Sequence, residues 1–342
     1  MTTTTSAPTV HGSGEEKPGL SQGQIVRKRF IGNTAAVTSL VVFVLILALA
    51  YTAGGFFGIP GWWKYSHNEV NDLLNGGRPT LQLFPFSLGE HPFGQDRLGR
   101  DTFAQTMRGV QISVTVMFII GIVGGTIGVV VGALAGYFRG WVDNALMRMT
   151  DVVIVIPLII LAAVLGQVAS RSVAANLQPL VLGLMVGLIA WTGLARLVRA
   201  EFLSLREREF VDAARIAGAS SSRIIFRHIL PNAVGVIIVF VTLSMSSAIL
   251  LETSLSYIGM GVKAPDVSLG LLISQNQEAF STRPWLFWWP GMFIVAICLC
   301  INFIGDGLRD AFDPRQKKFN AKKARDTTAG PRKSAGPQAK EQ

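Results

Sequence analysis

Charge is scarce in this sequence. Aspartate, glutamate, lysine and arginine make up 15% of it, against roughly 25% in an ordinary soluble domain. Half of the residues are hydrophobic, and long apolar blocks hold most of them. That balance excludes a soluble enzyme and points to a helical membrane protein. Cysteine is nearly missing. Cys298 and Cys300 stand two residues apart in an apolar run, so on a helix they point to different faces. That argues against a metal site or disulfide and for small buried side chains. The histidines His11, His67, His91 and His228 are scattered without ligand spacing.

Other absences narrow the function classes. No G-x-x-x-x-G-K-S/T loop occurs, so the chain does not bind ATP through that motif. If solute moves uphill, the energy enters from a partner. No apolar block carries a charge near its middle, which proton relays and ion-coupled carriers usually need. No inverted pair of broken spans suggests a secondary carrier, and no polar filter loop suggests a channel. A cleavable signal peptide is not evident. The first apolar block comes late, is long enough to span, and is expected to remain as an uncleaved anchor.

What is present is a set of six apolar blocks: Ala35–Phe57, Ile112–Tyr137, Val152–Ala169, Pro179–Leu197, Asn232–Leu251 and Phe287–Ile304. Each approaches the roughly 20 residues that a helical span needs. Asn176, Gln178 and Pro179 make a tight break between the third and fourth. The expected fold is therefore an all-α integral membrane protein with six transmembrane helices. Residues 1–24 are polar and expected to be a disordered tail. Residues 25–315 form the membrane domain, with an outer loop at 58–111 and a cytoplasmic segment at 199–231. Residues 316–342 form a basic tail.

The net charge of +10 reflects topology and not nucleic-acid binding. Basic residues gather at Arg27-Lys28-Arg29, between Arg199 and Arg227, and from Arg315 to Lys340. The positive-inside rule then places both termini and the fourth loop in the cytoplasm. The loop after the second span, with Arg139 and Arg148 against Asp143 and Asp151, is neutral on this point. Trp62, Trp63, Trp285, Trp288 and Trp289 all fall at the outer interface under this topology, where indole rings are favoured. Gly124, Gly128, Gly132 and Gly136 recur every four residues, so one face of the second span allows close helix approach. It is either a seam of the translocation bundle or ordinary helix packing.

The stretch between the fourth and fifth spans is the most informative. Glu207 to Ala217 reads as an amphipathic helix, with Phe210, Ala213, Ala214 and Ala217 at helical spacing. Gly218 is placed to end it in a left-handed cap. Ser220–Ser222 then cap a second helix, Arg223 to Ile229, whose apolar side is Ile225, Phe226 and Ile229. Pro231 opens the fifth span. Asp212, Ala213, Ala214 and Gly218, followed after nine residues by His228-Ile229-Leu230-Pro231, resemble the E-A-A-x-x-x-G signature of binding-protein-dependent ABC importer permeases. Asp212 replaces the usual glutamate and His228 the usual isoleucine.

Two further stretches resemble the dipeptide, oligopeptide and nickel branch of that family. One is His91-Pro92-Phe93-Gly94-Gln95-Asp96, with Gly99, Arg100 and Asp101 following. Gln95 stands for the usual threonine, and Gln111 for a common arginine. From the residues alone, Asp101 caps a short helix at Thr102–Arg108. The stretch is either a functional outer segment or an ordered loop. The other is Gly305, Asp306, Leu308, Arg309, Asp310, Asp313, Pro314 and Arg315 leaving the sixth span. These charges lie at the cytoplasmic membrane edge, free to pair with each other or with a partner, or simply to form a polar helix end.

The resemblance covers about residues 25–315 and is closest to the C-type permease of a pair. It implies a type I ABC importer permease fold in a bacterial cell membrane. It implies a second homologous permease, two ATPase subunits (or one fused ATPase) and an extracytoplasmic substrate-binding protein. ATP and Mg would sit in the ATPases, with no cofactor in this chain, which is not itself an enzyme. Asp212, Ala213, Ala214, Gly218, Ala219, Ser220, Leu230 and Pro231 would form the ATPase-coupling segment. Peptides are the favoured cargo, with nickel or another small solute as the alternative.

Overall fold

The computed structural model describes residues 22–55, 58–82, 84–174 and 177–313. The expected tails therefore lie almost wholly outside the described residues, as do Pro314 and Arg315. The chain divides after Phe312, and the architecture below concerns the part up to that point. It is helical, and among the described residues β-pairing is limited to isolated bridges.

A short basic helix α1 (Gln22–Ile31) precedes α2 (Thr34–Gly54), which Asn33 caps by accepting from the Ala36 N–H. The outer loop leads to α3 (Thr102–Phe138), capped by Asp101. No break separates the short helix expected at Thr102–Arg108 from the second span. At about 1.5 Å per residue, α3 is about 55 Å long and projects well beyond a ~30 Å hydrocarbon layer.

The neutral loop expected after the second span is instead a helix, α4 (Gly140–Val155). The chain turns into it through Arg139 and Gly140, both at positive φ. Pro157 then separates α4 from α5 (Leu158–Ser172) with a bend of 83°, because proline drives the residue before it out of helical geometry. The expected third span, Val152–Ala169, therefore carries this bend near its start. A bend of 43° likewise divides the fourth span into α6 (Gln178–Gly187) and α7 (Thr192–Arg206).

After α8 (Glu209–Ile216), helix runs unbroken over Ser221–Tyr257, 37 residues. It comprises α9 (Ser221–Arg223), a π turn at Ile224–Ile229 and α10 (Leu230–Tyr257). Pro231 stands in the first turn of α10, as expected, but α10 follows the π turn without a break. The Leu230 N–H donates to the Ile225 carbonyl, five residues back, and this wider turn absorbs the proline that an α-turn would not tolerate. An outer helix α11 (Leu269–Asn276) and then α12 (Trp285–Phe312) follow. Four single helices and two bent pairs, six in all, are apolar and long enough to cross a membrane.

The glycine row of α3 is the seam to α6 and α7. A Cβ on Gly128 would lie 2.9 Å from the Trp191 carbonyl oxygen, and one on Gly132 would lie 2.5 Å from that of Ala195. The two backbones touch there, which only glycine permits. Asp143 and Asp151 of α4 pair with Arg199 and Arg196 of α7, at 2.5 Å and 2.6 Å. The acids that made this region neutral are therefore fasteners between helices.

Both ends of the membrane domain meet on one side. Arg29 donates to the Ala311 carbonyl and Asn33 to Asp310. Gly235, just past the segment 199–231, packs on Phe312. Trp63, Trp285 and Trp289 gather at the opposite end around Asp101, Gly94 and Phe93. The described geometry thus sets the start, the end and the fourth loop on one side and the tryptophans on the other.

Candidate functional site

The segment between α7 and α10 is built as a bracket. Val211 is fully buried and anchors α8 among Phe202, Ile224, Ile225 and Ile229, with Ala214 and Ala219 packed against the same cluster. The helical stripe read as Phe210, Ala213 and Ala217 faces outward instead. The second apolar side shifts as well, for Ile224 is buried and Phe226 is exposed. Residues of both helices share one buried cluster, so burial follows that shared corner and not the apolar face of either one alone.

Gly218 ends α8 with φ +77°. Its N–H donates to Arg215, and the Ala219 N–H reaches back to Ala214 at 3.0 Å, the two bonds of a Schellman cap. No atom lies within 4 Å of where its Cβ would be, so conformation and not space requires glycine there. Ser220 then caps the next turn, accepting from the Arg223 N–H at 3.4 Å. Asp212 is exposed and pairs with Arg215 at 2.9 Å. Arg206 donates to the Tyr137 carbonyl and lies over its ring, holding the bracket to the end of α3.

The free surface consists of Phe210, Ala213, Ile216, Ala217, Gly218 and Phe226, with Ile216 89% exposed. It is an apolar, small-residue shelf edged by Asp212 and Arg215. Leu230 and Pro231 do not join it. They lie further up the continuous helix, where Leu230 packs inward on the buried cluster. Ile216 escaped the sequence reading because it breaks the stripe, yet an isoleucine set among charges on such a helix is the available signal.

The outer stretch forms a separate buried knot. His91 Nδ1 lies 2.6 Å from Asp101 Oδ2, and Tyr65 stacks on the imidazole. Asp101 also accepts from the Trp63 indole and the Ala104 N–H. Burial pushes its carboxyl above the ordinary carboxylate range, against the opposing pull of those bonds. Asp96 accepts from the N–H groups of Leu98 and Arg100 and from the Arg100 side chain. Phe93 stacks on Trp289 at 3.8 Å, and Pro92 is buried. Gly94 and Gly99 hold positive φ. Gln95, where threonine was usual, is fully buried and bonds Leu74, Asp72 and Gly99. Gln111 is likewise occupied, donating to Ala50 and Gly55.

The C-terminal stretch splits. Gly305 packs on Leu243 and Gly307 on Ala36, while Asp306 and Arg309 are exposed and Leu308 is half-buried. Asp310 accepts from Asn33 at 3.4 Å. Asp313 closes the described residues.

One residue lay beyond the sequence reading. The fifth span was expected to stop at Leu251, leaving every span without an internal charge. Helix α10 instead continues to Tyr257 and includes Glu252, which is fully buried.

Residues 128–318 match the binding-protein-dependent transport system inner membrane component. Residues 21–75 match the N-terminal TM domain of oligopeptide transport permease C. The oligopeptide transport system permease protein OppC of Mycobacterium tuberculosis (strain ATCC 25618 / H37Rv) is 39% identical over 301 residues, covering 87% of this chain and 97% of that protein. OppC of Escherichia coli (strain K12) is 36% identical over 302 residues, covering 88% and 94%. Among solved structures, an inward-facing MetNI methionine ABC transporter chain is similar at 22% identity and TM-score 0.49, over 60% of this chain and 95% of that one. With its six apolar spans, this chain belongs to the binding-protein-dependent ABC importer permeases, as a multi-pass component of the bacterial inner membrane.

Proposed function

We propose that this chain is the translocation subunit of an ATP-driven peptide importer, working beside a second, related permease. The observation that carries this reading is the bracket over Asp212–Ser220. A rigid anchor on Val211 presents an apolar shelf where the fourth loop meets the cytoplasm. Such a shelf suits docking into a partner groove, with Asp212 and Arg215 at its rim to orient the partner without burying unpaired ions.

Two ATPase subunits, or one fused chain, bind ATP and Mg and take hold of this shelf and its counterpart on the second permease. Closure of the ATPases moves the bracket. Because α9, the π turn and α10 form one helix, that motion passes from Ser221 towards Tyr257 without a hinge loop. An external binding protein delivers the cargo. Peptide is favoured because the relatives covering nearly the whole chain are named for oligopeptide transport. A cavity of about 340 Å³ between α3, α7 and α10, lined in part by Gly121, Gly125, Ser244 and Ser247, is the proposed stretch of pathway in this subunit.

The test is reconstitution of the chain with its neighbouring permease, ATPases and binding protein in proteoliposomes. Uptake of labelled peptide is expected to require ATP hydrolysis. Uptake that persists with the ATPase poisoned would overturn the reading.

A further inference from the structure

Glu252 has no place in the reading above, yet it is fully buried in a spanning helix. Among the described residues no lysine, arginine or histidine lies within ion-pair distance of it. Three serines surround it. Ser256 donates to its Oε1 at 2.7 Å, and the hydroxyls of Ser113 and Ser268 face the same carboxyl. Oε2 is buried without a partner.

Each of these serines also accepts from a backbone N–H of the segment after α10. Ser256 accepts from Val262 at 3.1 Å, Ser113 from Leu269 at 3.3 Å and Ser268 from Leu271 at 3.3 Å. The carboxyl accepts from Ser256 and stands with Ser113 and Ser268 in one buried node that joins α3, the end of α10 and the start of α11. Arg108 and Asp266, paired at 2.8 Å, brace the same junction from α3 to the residues before Ser268. The node lies 31 residues along the continuous helix from Ser221, about 46 Å at helical rise. A buried acceptor orders its donors strongly, because leaving any of them unpaired is costly.

The geometry points to Glu252 as the positioning residue that holds the outer end of α10 against α3 and α11, so that motion entering at the cytoplasmic bracket reaches the outer segment around α11. It acts through hydrogen bonding and touches neither ATP nor cargo. This inference rests on the importer reading.

The test uses the complete reconstituted transporter and measures peptide uptake per ATP hydrolysed. Glu252→Leu is expected to assemble with its partners and hydrolyse ATP while uptake per ATP falls at least about tenfold. Glu252→Gln keeps an acceptor at the same place and is expected to stay within about twofold of the wild type. A role in folding alone would lower assembly and leave uptake per assembled complex unchanged. If Glu252→Leu does not assemble, the doubly substituted Ser113→Ala, Ser268→Ala chain decides the matter, with a partial loss of uptake per ATP expected. Wild-type coupling in Glu252→Leu, or in that double variant, would overturn the proposal, as would Glu252→Gln as defective as Glu252→Leu. Failure of the wild-type complex itself to import peptide would count against the importer reading and not against the node.

Discussion

His91 Nδ1 and Asp101 Oδ2 meet at 2.6 Å in a buried polar contact, with both side chains almost wholly removed from solvent. Asp101 thereby serves the imidazole, an indole and a helix cap at once. Asp101→Asn removes the acceptor for His91, and the expected loss is about 1–3 kcal/mol of stability. Thermal unfolding of the detergent-solubilised chain measures it.

The same carboxyl has a pH consequence. Burial is the largest influence on it and raises its pKa, so the folded state holds this proton more tightly than the unfolded chain does. Its contribution to stability is full below the unfolded pKa and is lost as pH rises through the folded value. Melting temperatures across the acid range are expected to carry this slope in the wild type and to lose it in Asp101→Asn.

Gly132 is expected to resist any side chain. A Cβ there would lie 2.5 Å from the Ala195 carbonyl oxygen, so α3 and α7 would have to separate. Gly132→Val is expected to cost about 1–3 kcal/mol, read as a lower melting temperature. Gly23, with nothing near its Cβ, serves as the tolerant control.

Gly218 differs, because space is open around it and only φ +77° demands glycine. A β-branched residue in that conformation costs about 1–2 kcal/mol. Gly218→Val is expected to reshape the turn and lower uptake per ATP with the ATPases still bound. Gly218→Asn, which tolerates this conformation, is expected to fall between. Normal transport by Gly218→Val would show that the coupling turn lies elsewhere.

Ile216 is 89% exposed, so Ile216→Asp is expected to change stability by no more than about 0.5 kcal/mol. Its effect is expected in co-elution of the ATPases, which the added charge on the shelf should weaken. Retained co-elution would remove Ile216 from the docking surface.

Span number, the grouping of the domain's ends with the fourth loop on one side, and the Gly218 turn were legible in the sequence because each follows from local chemistry. Apolar length, arginine bias and a glycine between two capped helices act within a few turns of chain. The glycine row on α3 was legible as a feature, but its partner was not, because only the packed fold brings α7 against it. The inward face of the cytoplasmic bracket was misplaced for the same reason: two short helices share one corner, and Val211 reaches it from outside the apolar stripe.

Pro231 shows the same division. Local rules put Pro231 in a helix's first turn, where α10 has it, whereas only the structure shows helix running into that turn through a widened one before it. Glu252 shows it most plainly. Local hydropathy ends the fifth span at Leu251, since a charge one residue later reads as the edge of the membrane. The tertiary structure supplies Ser113 from α3 and Ser268 from the start of α11 beside Ser256. A buried carboxyl is tolerated where donors converge on it, and such convergence of residues from 113 to 268 is a property of the fold and of no local stretch.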